Sequence, residues 1–106
     1  MAIIHSSYYA MFHAARAVLI QATGTAPRAH DRTIQQFGLL VRDLDDPLRA
    51  AGRAFNAVKD ERNNADYDET IAASAQEARD ALLAAVDMLK ICALRFGFPE
   101  VGPPKA

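Results

Sequence analysis

The sequence has no tryptophan, one cysteine, five glycines and five prolines among its 106 residues. The lone Cys92 excludes an internal disulfide and a cysteine-based metal cluster. No apolar run is long enough to cross a membrane and no signal-peptide pattern is present, which indicates a soluble, cytoplasmic protein. The formal net charge of −1 gives no overall positive field, so contact with nucleic acid would have to come from a local patch of cations.

The residues that are present favour helices. Apolar residues make up 51% of the chain and charged residues 24%, which is typical of a globular protein. No stretch alternates with the period of two that marks a strand. The length predicts a single domain over residues 1–98, and the Pro/Gly-rich end at 99–106 is expected to be a flexible tail.

Apolar residues recur at steps of three and four, which predicts helices over 2–23, 31–44, 47–64 and 69–96. Gly24 is placed to end the first helix. The short connections predict an all-α, antiparallel four-helix up-and-down bundle. The predicted inner face of the last helix consists of Ile71, Ala75, Ala78, Leu82, Ala85, Leu89 and Cys92 or Ala93.

Arg62 occupies an unusual place in the third helix. The apolar series Leu48, Ala51, Phe55 and Val58 has Arg62 as its next member. A guanidinium keeps its charge at ordinary pH and is costly to bury without a partner. Two interpretations follow. Arg62 is either structural, in an internal ion pair with Asp66 or as a cap on the carbonyls at the end of its own helix, or it binds an anion in a groove, where its planar fork suits phosphate.

Other polar residues lie near the predicted helix edges. Tyr9, His13 and Arg16 share one flank of the first helix, and His30 lies at the turn before the second. His13 is either a packing residue or part of the same groove as Arg62. The histidines share no metal-ligand spacing, so we expect neither a metal nor another cofactor.

Three segments together resemble the HEPN family of prokaryotic helical domains: Ser7-Tyr8-Tyr9-Ala10-Met11-Phe12-His13-Ala14-Ala15-Arg16-Ala17, then His30, then Arg62-Asn63-Asn64-Ala65-Asp66-Tyr67. More narrowly, the chain is similar to small stand-alone HEPN proteins with an Arg-x-x-Ala-Asp-Tyr motif. Such proteins usually have a further helix before the Tyr-Tyr segment. This chain begins almost at that segment, so we expect exposed apolar surface that favours oligomers.

The resemblance implies a helical bundle that forms a homodimer, with the arginine motifs of both subunits in a shared cleft. Many members are RNA-cleaving toxins encoded beside a nucleotidyltransferase antitoxin, and others bind nucleotides without cleaving them. The expected function is therefore binding of RNA or nucleotide phosphate, as the toxin-like half of a toxin–antitoxin pair.

The resemblance also implies roles for individual residues. Arg62 would hold phosphate and Asn63 would orient the phosphate or ribose. Asp66 would orient Arg62 or act as a base, and Tyr67 would stack or donate a hydrogen bond; Tyr9, His13 and His30 are further binding candidates. Active nucleases of the family have a histidine where Tyr67 stands, and tyrosine is a poor base at neutral pH. Metal-independent cleavage would then need Asp66, His13 or His30 as the base.

A second class of function is compatible with the same residues. The long last helix could dock a nucleotidyltransferase or another partner, with no catalysis. In that interpretation Arg62 and Asp66 form a structural ion pair.

Overall fold

The computed structural model contains four helices: α1 (Ala2–Thr23), α2 (His30–Val41), α3 (Asp46–Tyr67) and α4 (Ala75–Phe96). It describes residues 2–67 and 75–97, without the side chains of residues 2 and 64–67, and those residues contain no strand. The prediction of an all-α four-helix bundle is confirmed. Ile71, which was predicted to belong to the inner face of the last helix, and the tail at 99–106 lie outside the described residues.

The core forms where the apolar faces of α1, α2 and α3 meet; each face is a stripe of apolar residues at steps of three and four. The predicted stripe of α3 is confirmed, because Leu48, Ala51, Phe55 and Val58 are buried. The same cluster contains residues of the other two stripes: Ile4, Tyr8, Met11, Ala15, Val18, Phe37 and Val41. Consecutive residues of each stripe lie on one side of a helix, so the three stripes close around a common interior.

The inner face of α4 differs from the prediction. Leu82 and Leu89 were expected inside, but they are 49% and 41% exposed. Ala75 is also exposed, and the buried residues are Ala78, Ala81, Ala85, Met88 and Cys92. This helix is apolar on more than one side, so the sequence pattern did not single out one face. Small alanine side chains allow close approach of the backbones, which favours the alanine-rich face.

Cys92 is buried, as expected for a packing cysteine. Burial raises the pKa of its thiol to about 11. The thiolate is therefore scarce at neutral pH, and the side chain acts as a small apolar group.

α2 begins and ends earlier than predicted. His30 is its first residue, Ala29 is at the N-cap, and Asp31 lies in the first turn. The helix ends at Val41, where the Leu44 N–H donates to the Val41 carbonyl at 3.0 Å and forms a tight turn. Such a turn lets α3 start only a few residues later.

The connection at 24–29 runs back along α1. Arg16 Nε and Thr33 Oγ1 both donate to the carbonyl of Pro27, each at 3.2 Å. As a result α2 begins beside the first half of α1, and the rings of His30 and Phe12 stack with their centres 4.2 Å apart. Helices α2, α3 and α4 then alternate in direction, so the end of α3 returns to the start of α1.

Two glycines are expected to respond in opposite ways to alanine. Gly24 has a φ of 87° and ends α1, so Gly24→Ala should lower the free energy of unfolding by about 1 kcal/mol. Gly38 is the control: it lies inside α2, an added Cβ meets no atom within 4 Å, and Gly38→Ala should raise stability by about 0.5–1 kcal/mol. Urea denaturation of both variants measures the difference, and changes of the same sign would contradict the expectation.

Among the described helices, none is both long enough and apolar enough to span a membrane.

Candidate functional site

Arg62 lies at the end of the buried face of α3. It follows Phe55 and Val58 on the side that faces the core, but its own side chain is half-buried. Because α3 runs antiparallel to α1, this position lies beside the first turns of α1. The expectation of an arginine at a core-facing position therefore holds.

The guanidinium of Arg62 lies over aromatic rings of α1. Its central carbon is 4.8 Å from the centre of the Tyr8 ring and 5.4 Å from that of Tyr9. Both distances are in the range of cation–π interactions. Arg62 Nε also donates a long hydrogen bond of 3.4 Å to His5 Nδ1. His5 can accept this bond only when Nδ1 is unprotonated, so protonation of that nitrogen would break it.

Tyr8 links Arg62 to His30. The ring of Tyr8 is fully buried, and its hydroxyl lies 2.7 Å from Nδ1 of His30. Burial raises the pKa of the Tyr8 phenol above its usual value, and the charge of Arg62 offsets part of that rise. The phenol is therefore neutral at pH 7 and can donate to, or accept from, the imidazole.

Tyr9 forms the outer wall of this group. It is 41% exposed, and its ring meets the His30 ring edge-on at 5.9 Å. His13 is exposed and contacts the rings of Tyr9 and Phe12, with centres 6.5 Å and 5.5 Å away. Of the three additional binding candidates, the structure thus brings Tyr9 and His30 to the Arg62 group and leaves His13 at its margin. We call this group the arginine site and define it as His5, Tyr8, Tyr9, Phe12, His30 and Arg62.

α3 continues past its predicted end. The connection expected at 65–68 is wrong for residues 65–67, which are helical. The reason is the absence of a glycine or proline after Arg62, together with the high helix propensity of Ala65. Asn63 is half-buried. The side chains of Asp66 and Tyr67 lie outside the description, so the Arg62–Asp66 ion pair and the role of Tyr67 stay predictions.

Sequence reasoning did not assign His5 or Tyr8 to the site. Tyr8 lies among the apolar residues of α1, and His5 shares no metal-ligand spacing with the other histidines, so neither stands out in the sequence. The signal that could have found them is their helical register, since His5, Tyr8, Tyr9 and Phe12 follow one another at steps that keep them on neighbouring parts of one helix face.

The arginine site combines two kinds of group. A guanidinium presents a planar fork of donors to an anion, and an exposed tyrosine ring offers a surface on which a base can stack. His30 adds an imidazole whose Nδ1 is engaged by Tyr8, while its Nε2 has no hydrogen bond among the described residues. Such a set can bind a phosphorylated aromatic compound. No group of three metal-binding side chains occurs among the described residues.

Glu61, the residue before Arg62, gives the fold a pH dependence. Its Oε2 is buried without a hydrogen-bond partner in the described part of the chain. Burial raises the pKa of this carboxyl, and the nearby negative charges of Glu77 and Asp80 raise it further. A raised folded-state pKa means that the ionised form weakens the fold, and that stability is regained as the pH falls through this pKa.

Glu61→Gln is therefore expected to raise the free energy of unfolding at pH 7 by up to about 1 kcal/mol. The gain should shrink as the pH falls and vanish below the pKa of an unfolded glutamate, where wild type and variant are both uncharged at this position. Thermal melts across this pH range measure it. Asp60→Gln, at an exposed neighbour, is the control; an equal gain in both variants would contradict the role of Glu61.

The order and packing of the helices define a small all-α bundle with an arginine held against aromatic side chains of its first helix. A family model described as HEPN domain matches residues 2–95, and the chain belongs to the HEPN family. The resemblance seen in the sequence is confirmed at the level of the family. HEPN domains are in general related to RNases or to nucleotide binding. Comparisons with curated proteins and with solved structures gave no match.

Proposed function

We propose that this HEPN protein binds RNA or nucleotide phosphate at the arginine site, as the toxin-like component of a cytoplasmic HEPN/nucleotidyltransferase pair. The observation that supports the proposal most is the half-buried guanidinium of Arg62 over the rings of Tyr8 and Tyr9. An arginine fixed in this way loses little further freedom when it binds a phosphate.

Each residue has a proposed role. Arg62 holds the phosphate, and Asn63 next to it orients the phosphate or the ribose. Tyr9, which is partly exposed, stacks against a base; such stacking contributes about 1–3 kcal/mol per base. Asp66 orients Arg62 or accepts a proton, and Tyr67 stacks or donates a hydrogen bond.

Cleavage of the bound RNA would need a base for the 2′-hydroxyl and an acid for the leaving oxygen. Arg62 would stabilise the charge on the phosphorane. An imidazole exchanges protons near neutral pH, and His30 lies within the arginine site while His13 lies at its edge. His5, which contacts Arg62, joins them as a candidate. Asp66 and Tyr67 stay in the proposal on the strength of the family motif.

The test incubates purified protein with total RNA in the presence of a chelator, beside Arg62→Ala. Binding is read by gel shift and cleavage by denaturing gel. Binding by the wild type and its loss in the variant are expected. Cleavage by the wild type alone would make the protein a metal-independent nuclease. Equal behaviour of the two proteins towards RNA would contradict the proposal.

A homodimer is part of the proposal. Leu82, Val86 and Leu89 lie on one outward face of α4 and are 49%, 37% and 41% exposed. A row of exposed apolar side chains at these steps is typical of a helix that packs against another chain. Light scattering tests it, because a monomer has a mass of 11.5 kDa. Leu89→Glu should shift a dimer towards the monomer, and a wild type that is monomeric at all micromolar concentrations would contradict the shared cleft.

The same face of α4 supports the second candidate function, a module without catalysis that docks a nucleotidyltransferase. In that case Arg62 has a structural role, and Arg62→Ala should impair folding rather than binding. The two functions are separated by measuring stability and RNA binding on the same variant.

A further inference from the structure

A second surface with a marked charge lies between α2 and α3. The two antiparallel helices border an open groove of about 650 Å³. Four cations line it, at Arg42, Arg49, Arg53 and Lys59, whereas Asp31 is the lining carboxylate among the described residues. The chain as a whole has a net charge of −1. The side chains that line the groove therefore carry more positive than negative charge, and we call it the cationic groove.

The cations of α3 are spread along the groove. Arg49, Arg53 and Lys59 all line it and span ten residues, or about 15 Å of helix. Asn56 and Gln35 add amide groups along the same groove. A stacked single strand advances about 3.4 Å per nucleotide, so this length corresponds to roughly four nucleotides.

The ion pairs of these cations leave them available to a ligand. Arg42 lies 3.7 Å from Asp43 and Lys59 lies 3.8 Å from Asp60, and the carboxylates in these pairs are 80% and 65% exposed. Arg49 pairs with Asp46, which is also largely exposed. Exposed pairs of this kind are weak and exchange readily with other anions.

Arg53 differs from the other three cations. It is exposed and lines the groove near its middle. It has no ion-pair partner among the described side chains, so it is the cation best placed to bind an external anion.

Two glycines, Gly38 and Gly52, line the groove. At Gly52 an added Cβ would lie 3.2 Å from Val41 Cγ2, which shows how closely α2 and α3 approach each other. At Gly38 an added Cβ meets no atom within 4 Å. A larger side chain at Gly38 would thus enter the groove without displacing the core, which provides a way to block it.

One end of the cationic groove lies close to the arginine site. Lys59 is one helical turn before Arg62, and Asp31 directly follows His30. A strand lying along the groove would bring its end to the rings of Tyr9 and His30. This continuity with a stacking surface favours a nucleic acid over an acidic peptide, which has no bases to place there.

We propose that the cationic groove binds the phosphate backbone of single-stranded RNA and leads the strand to the arginine site. The ligand is then an oligonucleotide rather than a mononucleotide. The inference rests on the proposed function, because it assigns the substrate class of the same site. It adds that most of the affinity comes from the groove between α2 and α3.

Fluorescence anisotropy with a labelled single-stranded RNA octamer tests this, with a nucleoside monophosphate as competitor. The variant Arg53→Gln/Lys59→Gln should bind the octamer at least about tenfold more weakly. When the logarithm of the affinity is plotted against the logarithm of the salt concentration, the slope should be less steep by about 1.4. Each phosphate contact to a single strand contributes about 0.7 to this slope, and the variant lacks two such contacts. Affinity for the monophosphate should not change. The matched control is Arg79→Gln/Lys90→Gln, which removes two exposed cations of α4 and should leave both affinities unchanged.

Gly38→Leu is the second variant, because it blocks the groove without changing its charge. It should weaken octamer binding to a similar degree while the circular dichroism spectrum stays that of the wild type. Equal octamer affinity in the groove double variant and its control would overturn the inference.

The outcomes also separate the two proposals. If the monophosphate binds through Arg62 and the octamer binds no more tightly, the inference that the groove binds RNA is overturned, and the proposed function is retained. If octamer binding depends on Arg53 and Lys59 but not on Arg62, this supports RNA binding in the groove and contradicts ligand binding at the arginine site. Tighter binding of an acidic peptide of equal charge would overturn the assignment to RNA.

Discussion

Replacing Phe55 with alanine is expected to lower the free energy of unfolding by about 3–5 kcal/mol. Phe55 is fully buried, and its ring centre lies 5.8 Å from that of Tyr8 and 6.2 Å from that of Phe37. The truncation leaves a cavity where α1, α2 and α3 meet. A small domain has a total stability of about 5–15 kcal/mol, so the variant should keep a minor part of it.

Urea denaturation followed by circular dichroism measures this loss. Leu39→Ala is the control, because Leu39 is an apolar residue that is 50% exposed, and its truncation should change stability by no more than about 0.5 kcal/mol. Similar losses in both variants would mean that Phe55 is not part of a closely packed core.

Arg62→Ala is expected to weaken RNA binding at least about tenfold while lowering stability by no more than about 2 kcal/mol. The guanidinium is half-buried and lies over two rings, so its loss removes cation–π contacts at a position that is partly open to solvent. A structural ion pair with Asp66 predicts a different result, a loss of about 3–5 kcal/mol from the carboxylate left behind. Thermal melts and anisotropy on the same preparation measure both quantities.

Arg62→Lys sharpens this comparison. Lysine keeps the charge but lacks the planar fork and the flat face that lies on Tyr8. It should bind RNA between the wild type and the alanine variant, with a similar dependence on salt. Arg79→Ala, at an exposed position of α4, controls for the loss of a positive charge in general. A lysine variant that binds as well as the wild type would show that charge alone matters.

The sequence predicted the number of helices and most of the core because large apolar residues recur regularly in α1 and α3. It did not predict the inner face of α4, where alanines lie on several sides and only contact with other helices selects one. Nor did it predict the end of α3, because the residues around Ala65 and Asp66 permit both a helix and a turn. On α4, packing decides between local options of similar energy.

For the candidate site, the position of Arg62 could be inferred from one helix alone. The place of His30 could not, because it depends on how the connection at 24–29 runs. A direct turn after Thr23 would have placed His30 at the far end of α1. The carbonyl of Pro27, bonded by Arg16 and Thr33, fixes the return path instead. These hydrogen bonds join residues 11 and 6 positions apart, and no periodicity predicts them.

The separation of contacts along the chain gives the arginine site an order of assembly. Tyr8 and His30 are 22 residues apart, whereas Arg62 and His5 are 57 apart. Closing the longer loop costs about 0.8 kcal/mol more in chain entropy, so α1 and α2 should meet before α3 returns to them. Substitutions at Arg62 should then speed unfolding and leave the folding rate nearly unchanged, which stopped-flow kinetics can measure. During synthesis, the arginine site, and with it the proposed RNA recognition, would accordingly be complete only after the second half of α3 had left the exit tunnel.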